Sequence, residues 1–199
     1  MSRWEPDAEA RLHAAALELF VEQGFAATTV PQIAARAGLM TRSFFRYFPD
    51  KREVLFTGEN ELPGVIERIF ADAAEELTPL QVIRTGLVEA VAPRLEALRD
   101  ELLTRRLIVR TDDGLSERQL RKLGIVHNAA TQAFHQRGLS PLDAEIAGGL
   151  AVTIYDTALQ LWLDEKRTYA DVVDEVIESL LALTDASGQR TPGAVNPAR

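Results

Sequence analysis

Between Thr28 and Phe48 the sequence leaves room for two short helices separated by only three residues, Gly38 to Met40. In "TTVPQIAARAG", Thr29 is placed to cap a helix and Gln32 stands three residues on. That pair satisfies two backbone N–H groups a helix start would otherwise leave free. Pro31 is tolerated in the first turn, where its missing N–H costs nothing, and Gly38 supplies the stop. "MTRSFFRYF" then reads as a second short helix, closed by Pro49. Two short helices joined by a tight glycine-containing turn form the helix-turn-helix pattern, whose second helix enters the DNA major groove.

The second helix divides into two faces. Phe44 and Phe48 are one turn apart and point at Leu19, Phe20, Ile33 and Ala37. Thr41, Arg42, Phe45 and Arg46 fall on the opposite side. Such a face offers donors for phosphates, arginine for base edges and apolar surface for a thymine methyl. Two readings stay open at this point, because aromatics at helical spacing also make an ordinary core. Charge bears on the choice. The chain carries a formal net charge of -8, which disfavours a polyanionic partner. Its distribution says otherwise: residues 1–56 hold seven Lys/Arg and seven Asp/Glu, and Arg36 to Arg52 hold five basic residues against Asp50 alone.

The remaining breaks cut the chain into helices, and strand signals are nearly absent. A first helix is expected over Asp7–Gln23, with Leu12, Ala16, Leu19 and Phe20 on one face. "DKRE" offers Asp50 and Glu53 as a capping box for a fourth helix, which "LPG" at Leu62–Gly64 should kink or break. Further helices are expected at Pro79–Ala92, Pro93–Thr111, Ser116–Arg137, Pro141–Glu165 and Tyr169–Leu183. The fold class is therefore all-α, with about nine helices. The expected division is a helix-turn-helix unit over 1–50, a larger helical unit over 51–185, and a polar, Gly/Pro-rich tail over 186–199 expected to be disordered.

Several chemistries find no support. Absence of cysteine removes disulfides, thiol catalysis and thiolate metal sites. His13, His127 and His135 show no ligand spacing, and no phosphate-type glycine loop or readable triad occurs. No catalytic residue, metal or cofactor is expected. The charged N-terminus does not read as a signal peptide. The apolar run Ile146–Leu163 contains Asp156 and is flanked by Glu145 and Asp164, which argues against a membrane span. A cytoplasmic location is expected. The alternatives to DNA binding are a helical small-molecule- or partner-binding protein and an all-helical enzyme.

"TTVPQIAARAGLMTRSFFRYFPDKREVLF" resembles the DNA-binding segment of TetR-type transcriptional regulators, from about Arg11 through Leu55. The matching features are the capping threonine, Ile-Ala and Ala-Gly, "FFRYF" in the form seen in actinobacterial members, and Lys51. The resemblance implies that Thr29 caps its helix and touches a phosphate. It places Thr41, Arg42 and Ser43 at base and backbone contacts, with Arg46 on the same DNA-facing side. Phe45 occupies a position often held by a phosphate-contacting tyrosine and lacks its hydroxyl. Tyr47 matches a second such position, and Lys51 a phosphate-binding lysine. Met40 departs from the pattern, standing where serine commonly caps the recognition helix.

For the rest of the chain the resemblance implies a homodimer that binds a palindromic operator in double-stranded DNA, acting by default as a repressor released by a small-molecule effector. The 141–165 helix is apolar nearly all round and must be buried from more than one direction. That fits either one large monomeric core or pairing of the last two helices with their copies, where Gly148 and Gly149 would allow close approach. An effector pocket is implied between the fourth and seventh helices. Its candidate lining is Arg106, Arg110, His127, Phe134, Tyr155 and Trp162, with Arg84 and Arg105 as further polar groups. An ordinary solvated arginine, satisfied histidine or core aromatic is the competing reading for each.

Overall fold

The computed structural model describes residues 7–57 and 61–185, and every regular element within them is helical. Helix α1 spans Ala8–Gln23, α2 Val30–Arg36 and α3 Thr41–Tyr47. They begin and end where local chemistry dictates. The Gly24 N–H bonds back to Phe20 O at 3.1 Å and closes α1. Gly38 takes a left-handed φ of 69°, which turns the chain sharply between α2 and α3. Thr29 and Gln32 form the expected capping box.

Beyond α3 the structure corrects three expectations. Asp50 Oδ1 accepts from the N–H groups of Arg52 (2.8 Å) and Glu53 (3.0 Å), but only a single 3-10 turn follows, Glu53–Phe56. Glu53 does not complete the box, because its carboxylate is claimed by distant cations. "LPG" does not interrupt a helix either. It opens α4, Leu62–Asp72, with Pro63 in the first turn, where a missing N–H breaks no bond. Among the described residues no helix is kinked or broken there.

Pro93 is the third case. Helix α5, Pro79–Thr85, continues through a π-helical segment, Gly86–Val91, into α6, Ala92–Ala97. Pro93 cannot donate to the preceding turn, and its ring crowds the carbonyl four residues back. The wider π geometry, in which Ala92 N–H bonds to Leu87 O, lets the rod continue past it. The break falls instead at Leu98, with φ -113° and ψ 15°, before α7, Arg99–Val109. Three long helices complete the chain: α8 Asp113–Gln136, α9 Pro141–Asp164 and α10 Tyr169–Asp185. Asp112, Ser140 and Thr168 accept from the N–H groups of Leu115, Asp143 and Asp171 at their starts. The expected disordered tail, 186–199, lies outside the described residues.

Two apolar cores result. The first joins Leu12, Leu19, Phe20, Ile33, Phe44 and Phe48 to Val54–Phe56, and reaches Ile108, Val109 and Leu115 from α7 and α8. Phe44 and Phe48 are core, as their spacing predicts. The second is built around α9, with Phe134, Ile154, Trp162, Tyr169, Val172 and Val173. Among the described residues α9 alone is long and apolar enough to cross a membrane, but it packs between α8 and α10 and buries Ala144, Ala147, Ala158 and Leu159.

Gly148 does not serve a partner copy. It faces α8 of its own chain, where an added Cβ would collide with Thr131 Oγ1 and stand 3.0 Å from Thr131 N. Gly149 looks toward His127 on the same helix. The Gly148→Ala variant should therefore gain about 1 kcal/mol of helix propensity but lose about 1–3 kcal/mol to overpacking. Net destabilisation, read as a lowered urea midpoint, is the expected outcome.

Candidate nucleic-acid interface and effector cavity

The α2–turn–α3 unit is fixed from three sides. Arg11 of α1 donates to Ala37 O, the end of α2. Buried Thr28 donates to Gly24 O at 2.8 Å and receives Gln23 Nε2 at 3.1 Å. Lys51 folds back across the α1–α2 connection. Its Nζ lies 2.7 Å from Phe25 O, 2.8 Å from Thr28 O and 3.4 Å from Ala26 O, and 4.3 Å from the Phe25 ring centre. All three ammonium donors have carbonyl partners, and burial lowers the Lys51 pKa from its ordinary value.

The resulting surface matches the helical wheel. Thr29, Thr41, Arg42, Phe45 and Arg46 are exposed, while Ser43 and Tyr47 are half-buried. Phe45, 56% exposed, meets Phe44 edge-on at 5.5 Å. Arg46 donates to the Tyr47 hydroxyl at 2.9 Å and lies over its ring. Arg42 has no hydrogen-bond or ion-pair partner among the described residues. The locally basic balance is smaller in space than in sequence, because Arg36 pairs with Glu22 at 2.7 Å and Glu18 at 3.2 Å.

Met40 sits 63% exposed in extended backbone geometry, the conformation of an N-cap, but supplies no side-chain acceptor. The Ser43 N–H bonds only to Met40 O, at 2.8 Å. Helix α3 thus starts at Thr41 despite the missing cap. A Met40→Ser variant should gain about 0.5–1 kcal/mol, measurable by thermal unfolding.

One ionic cluster escaped sequence reading. Glu53, only 8% exposed, opens the 3-10 turn and reaches α8. Arg118 donates two bonds to its Oε2 and Lys122 one to its Oε1 at 2.7 Å, while Arg118 also reaches Asp50 at 3.4 Å. Burial pushes the Glu53 carboxyl up, but these bonds more than offset it and hold it below its ordinary 4.5. Its contribution to stability is then fully present above pH 4.5 and fades as pH falls through the lowered folded value. Removing one partner of a buried pair costs about 3–5 kcal/mol. With the Arg118 side chain still 26% exposed, Glu53→Gln should cost about 2 kcal/mol by urea titration at pH 7 and flatten the acid limb of the stability profile.

A cavity of about 150 Å³ lies between α4, the α5–α6 rod, α8 and α9. Of the six expected lining residues, Tyr155 alone reaches it. Arg106 instead binds Gln160 O at 3.2 Å and Asp164; Arg110 is exposed; His127 pairs with Glu145 at 3.0 Å. Phe134 stands behind Phe70 in the core, and Trp162 packs edge-on against Tyr169 beneath the Arg99 guanidinium. Arg84 pairs with Asp174 at 2.6 Å, and Arg105 lies over Phe56. The charged residue that does line the cavity is Arg94, which no sequence pattern singled out. No group of three or more His, Asp or Glu among the described residues could hold a metal.

Two short helices at a tight turn, the second exposing hydroxyls and arginines, form a helix-turn-helix unit packed against a larger helical body. Residues 12–57 match the model for "Bacterial regulatory proteins, tetR family". The chain is 43% identical over 61 residues to the HTH-type transcriptional regulator HbdR of Aromatoleum sp. (strain CIB), covering 27% of each chain. It is 52% identical over 42 residues to the HTH-type transcriptional regulator TcmR of Streptomyces glaucescens, covering 21% of this chain and 19% of that one. The matched stretch thus spans about a quarter or less of these curated relatives. The whole fold is similar to Thermus thermophilus FadR, a TetR family transcriptional repressor solved with lauroyl-CoA. The TM-score is 0.58 at 23% identity, over 96% of this chain and 100% of that one. At that identity the likeness is one of fold.

Proposed function

We propose that the protein is a ligand-responsive DNA-binding transcriptional regulator of the cytoplasm, a repressor that binds a palindromic operator as a homodimer and is released by a small-molecule effector. It acts by binding, without catalysis. The observation that carries this reading is the exposed face of α3, where unpartnered Arg42 stands beside Thr41, Phe45 and Arg46 on a braced helix pair. In it, residues 1–50 are the reading head and 51–185 the effector and dimer unit. Thr41, Arg42 and Ser43 contact bases and backbone, Thr29, Arg46 and Tyr47 contact phosphates, and Phe45 offers apolar surface. Lys51 acts chiefly as a brace, since its donors are engaged. The names of the two curated relatives, both HTH-type transcriptional regulators, support the reading.

Dimerisation is supported by apolar side chains left outside the core. Leu142, Ile146 and Leu161 are exposed on α9, and Leu181 and Leu183 near the end of α10. Two copies joined there present two heads, as a two-fold symmetric site requires. Coupling to the effector is supported by α8, which carries Val126 and Ala130 to the cavity wall and, one and two turns earlier, Lys122 and Arg118 to Glu53.

The test is a mobility shift with DNA from beside the protein's own gene. Binding should weaken steeply with salt, and Arg42→Ala should lose about 1–3 kcal/mol if it reads a base or lower the salt slope by about one if it holds a phosphate. Tyr47→Phe should weaken binding without altering the fold. Absence of any shift at low salt would overturn the proposal.

A further inference from the structure

Among the described residues the cavity is apolar except at two places. Side chains such as Val65, Ile69, Phe70, Val82 and Leu87 form its walls, and of the described lining residues only Arg94 and Tyr155 bring polar side chains. Arg94 also lines a wider cleft outside it, about 320 Å³, together with Arg68, Asp72, Thr85 and Glu89. The guanidinium side chain therefore stands at the boundary between an apolar chamber and an open polar mouth. Arg84, Arg99, Arg106, Arg118 and Arg137 are all held by carboxylates or carbonyls. Arg94 has no such partner among the described residues.

Size and charge narrow what can enter. An apolar cavity of about 150 Å³ stays dry and accepts a benzene-sized guest, so a twelve-carbon acyl chain would overfill this chamber roughly two-fold. Asp72 and Glu89 line only the outer cleft, whereas Arg94 touches both compartments. A cation tethered to an apolar body would have to pass Arg94 to reach them, against like-charge repulsion. A carboxylate leaving the chamber meets the planar donor fork of a guanidinium, which it matches in a bidentate pair.

We propose that the effector site takes a small lipophilic carboxylate, its apolar body of about benzene size in the chamber and its anionic group on Arg94. This rests on the reading of the cavity as the effector site. Calorimetry on the full chain with benzoate, hexanoate, the matched neutral amides and laurate tests it. At pH 7 each small carboxylate should bind roughly ten-fold or more tightly than its amide, in line with a charge-assisted bond. Arg94→Gln should erase that preference, and Arg94→Lys should keep part of it. Ala151→Leu, with helical content checked by circular dichroism, should weaken both by filling the chamber. Equal binding of amide and carboxylate, tighter binding of laurate than hexanoate, or an Arg94→Gln variant of unchanged carboxylate affinity would each overturn the assignment. No binding by a protein that still shifts operator DNA overturns the ligand class alone. Carboxylate binding by a protein that shifts no DNA overturns the regulator reading and leaves the ligand class standing.

Discussion

The contact on which the arrangement of head and body depends is one buried carboxylate. Glu53 is buried at the start of the 3-10 turn, and its two oxygens are taken by Arg118 and Lys122 from α8 of the body. An ion pair of this kind adds little net stability over an apolar contact of equal volume, because desolvation offsets the attraction. What it adds is direction. Apolar surfaces slide over one another at small cost, whereas a doubly hydrogen-bonded carboxylate tolerates little change in distance or angle. A shift of α8 against the head therefore either keeps this cluster or breaks it, and α8 also walls the cavity. The apolar contacts of Ile108, Val109 and Leu115 with the head give cohesion, and Glu53 gives register.

Local chemistry made the reading unit legible from sequence. Thr29 and Gln32 are three residues apart, Gly38 is fixed by the sharp turn, and Phe44 with Phe48 needs only helical periodicity to be assigned to the core. Each depends on neighbours within a turn or two. Glu53 failed for the opposite reason: locally it looks like a capping partner for Asp50, and the cations that claim it lie 65 and 69 residues away. Proline was misjudged in a similar way. Pro63 and Pro93 both read as breaks, yet one falls where its N–H is not needed and the other is accommodated by widening the helix before it.

The body was legible as helices but not as a cavity. Arginine, histidine and tryptophan were natural candidates for a polar pocket, yet Arg106, His127 and Trp162 are committed to carbonyls, a carboxylate or the core. A pocket is bounded by whatever the packing leaves uncovered, and that follows from helix crossings that sequence periodicity does not encode. Aliphatic residues of α4 and the α5–α6 rod line it because these shorter elements cannot fill the space against α8 and α9. Tyr155 was found by its type, and Arg94 was missed because an arginine after a proline in a helical stretch looks like any surface cation.

The π-helical segment has a consequence for how this chain can vary. Such a segment holds one residue more than an α-helix of the same span, and each residue in a helix turns its successors by about 100°. Deleting a single residue between Gly86 and Val91 would let the rod relax toward ordinary α geometry without severing it. Everything downstream would then rotate, carrying Arg94 and Leu95 away from the chamber and presenting their neighbours instead. The shape of the chamber could thus be re-cut by a change in length rather than by replacing lining residues, with the α2–turn–α3 unit untouched.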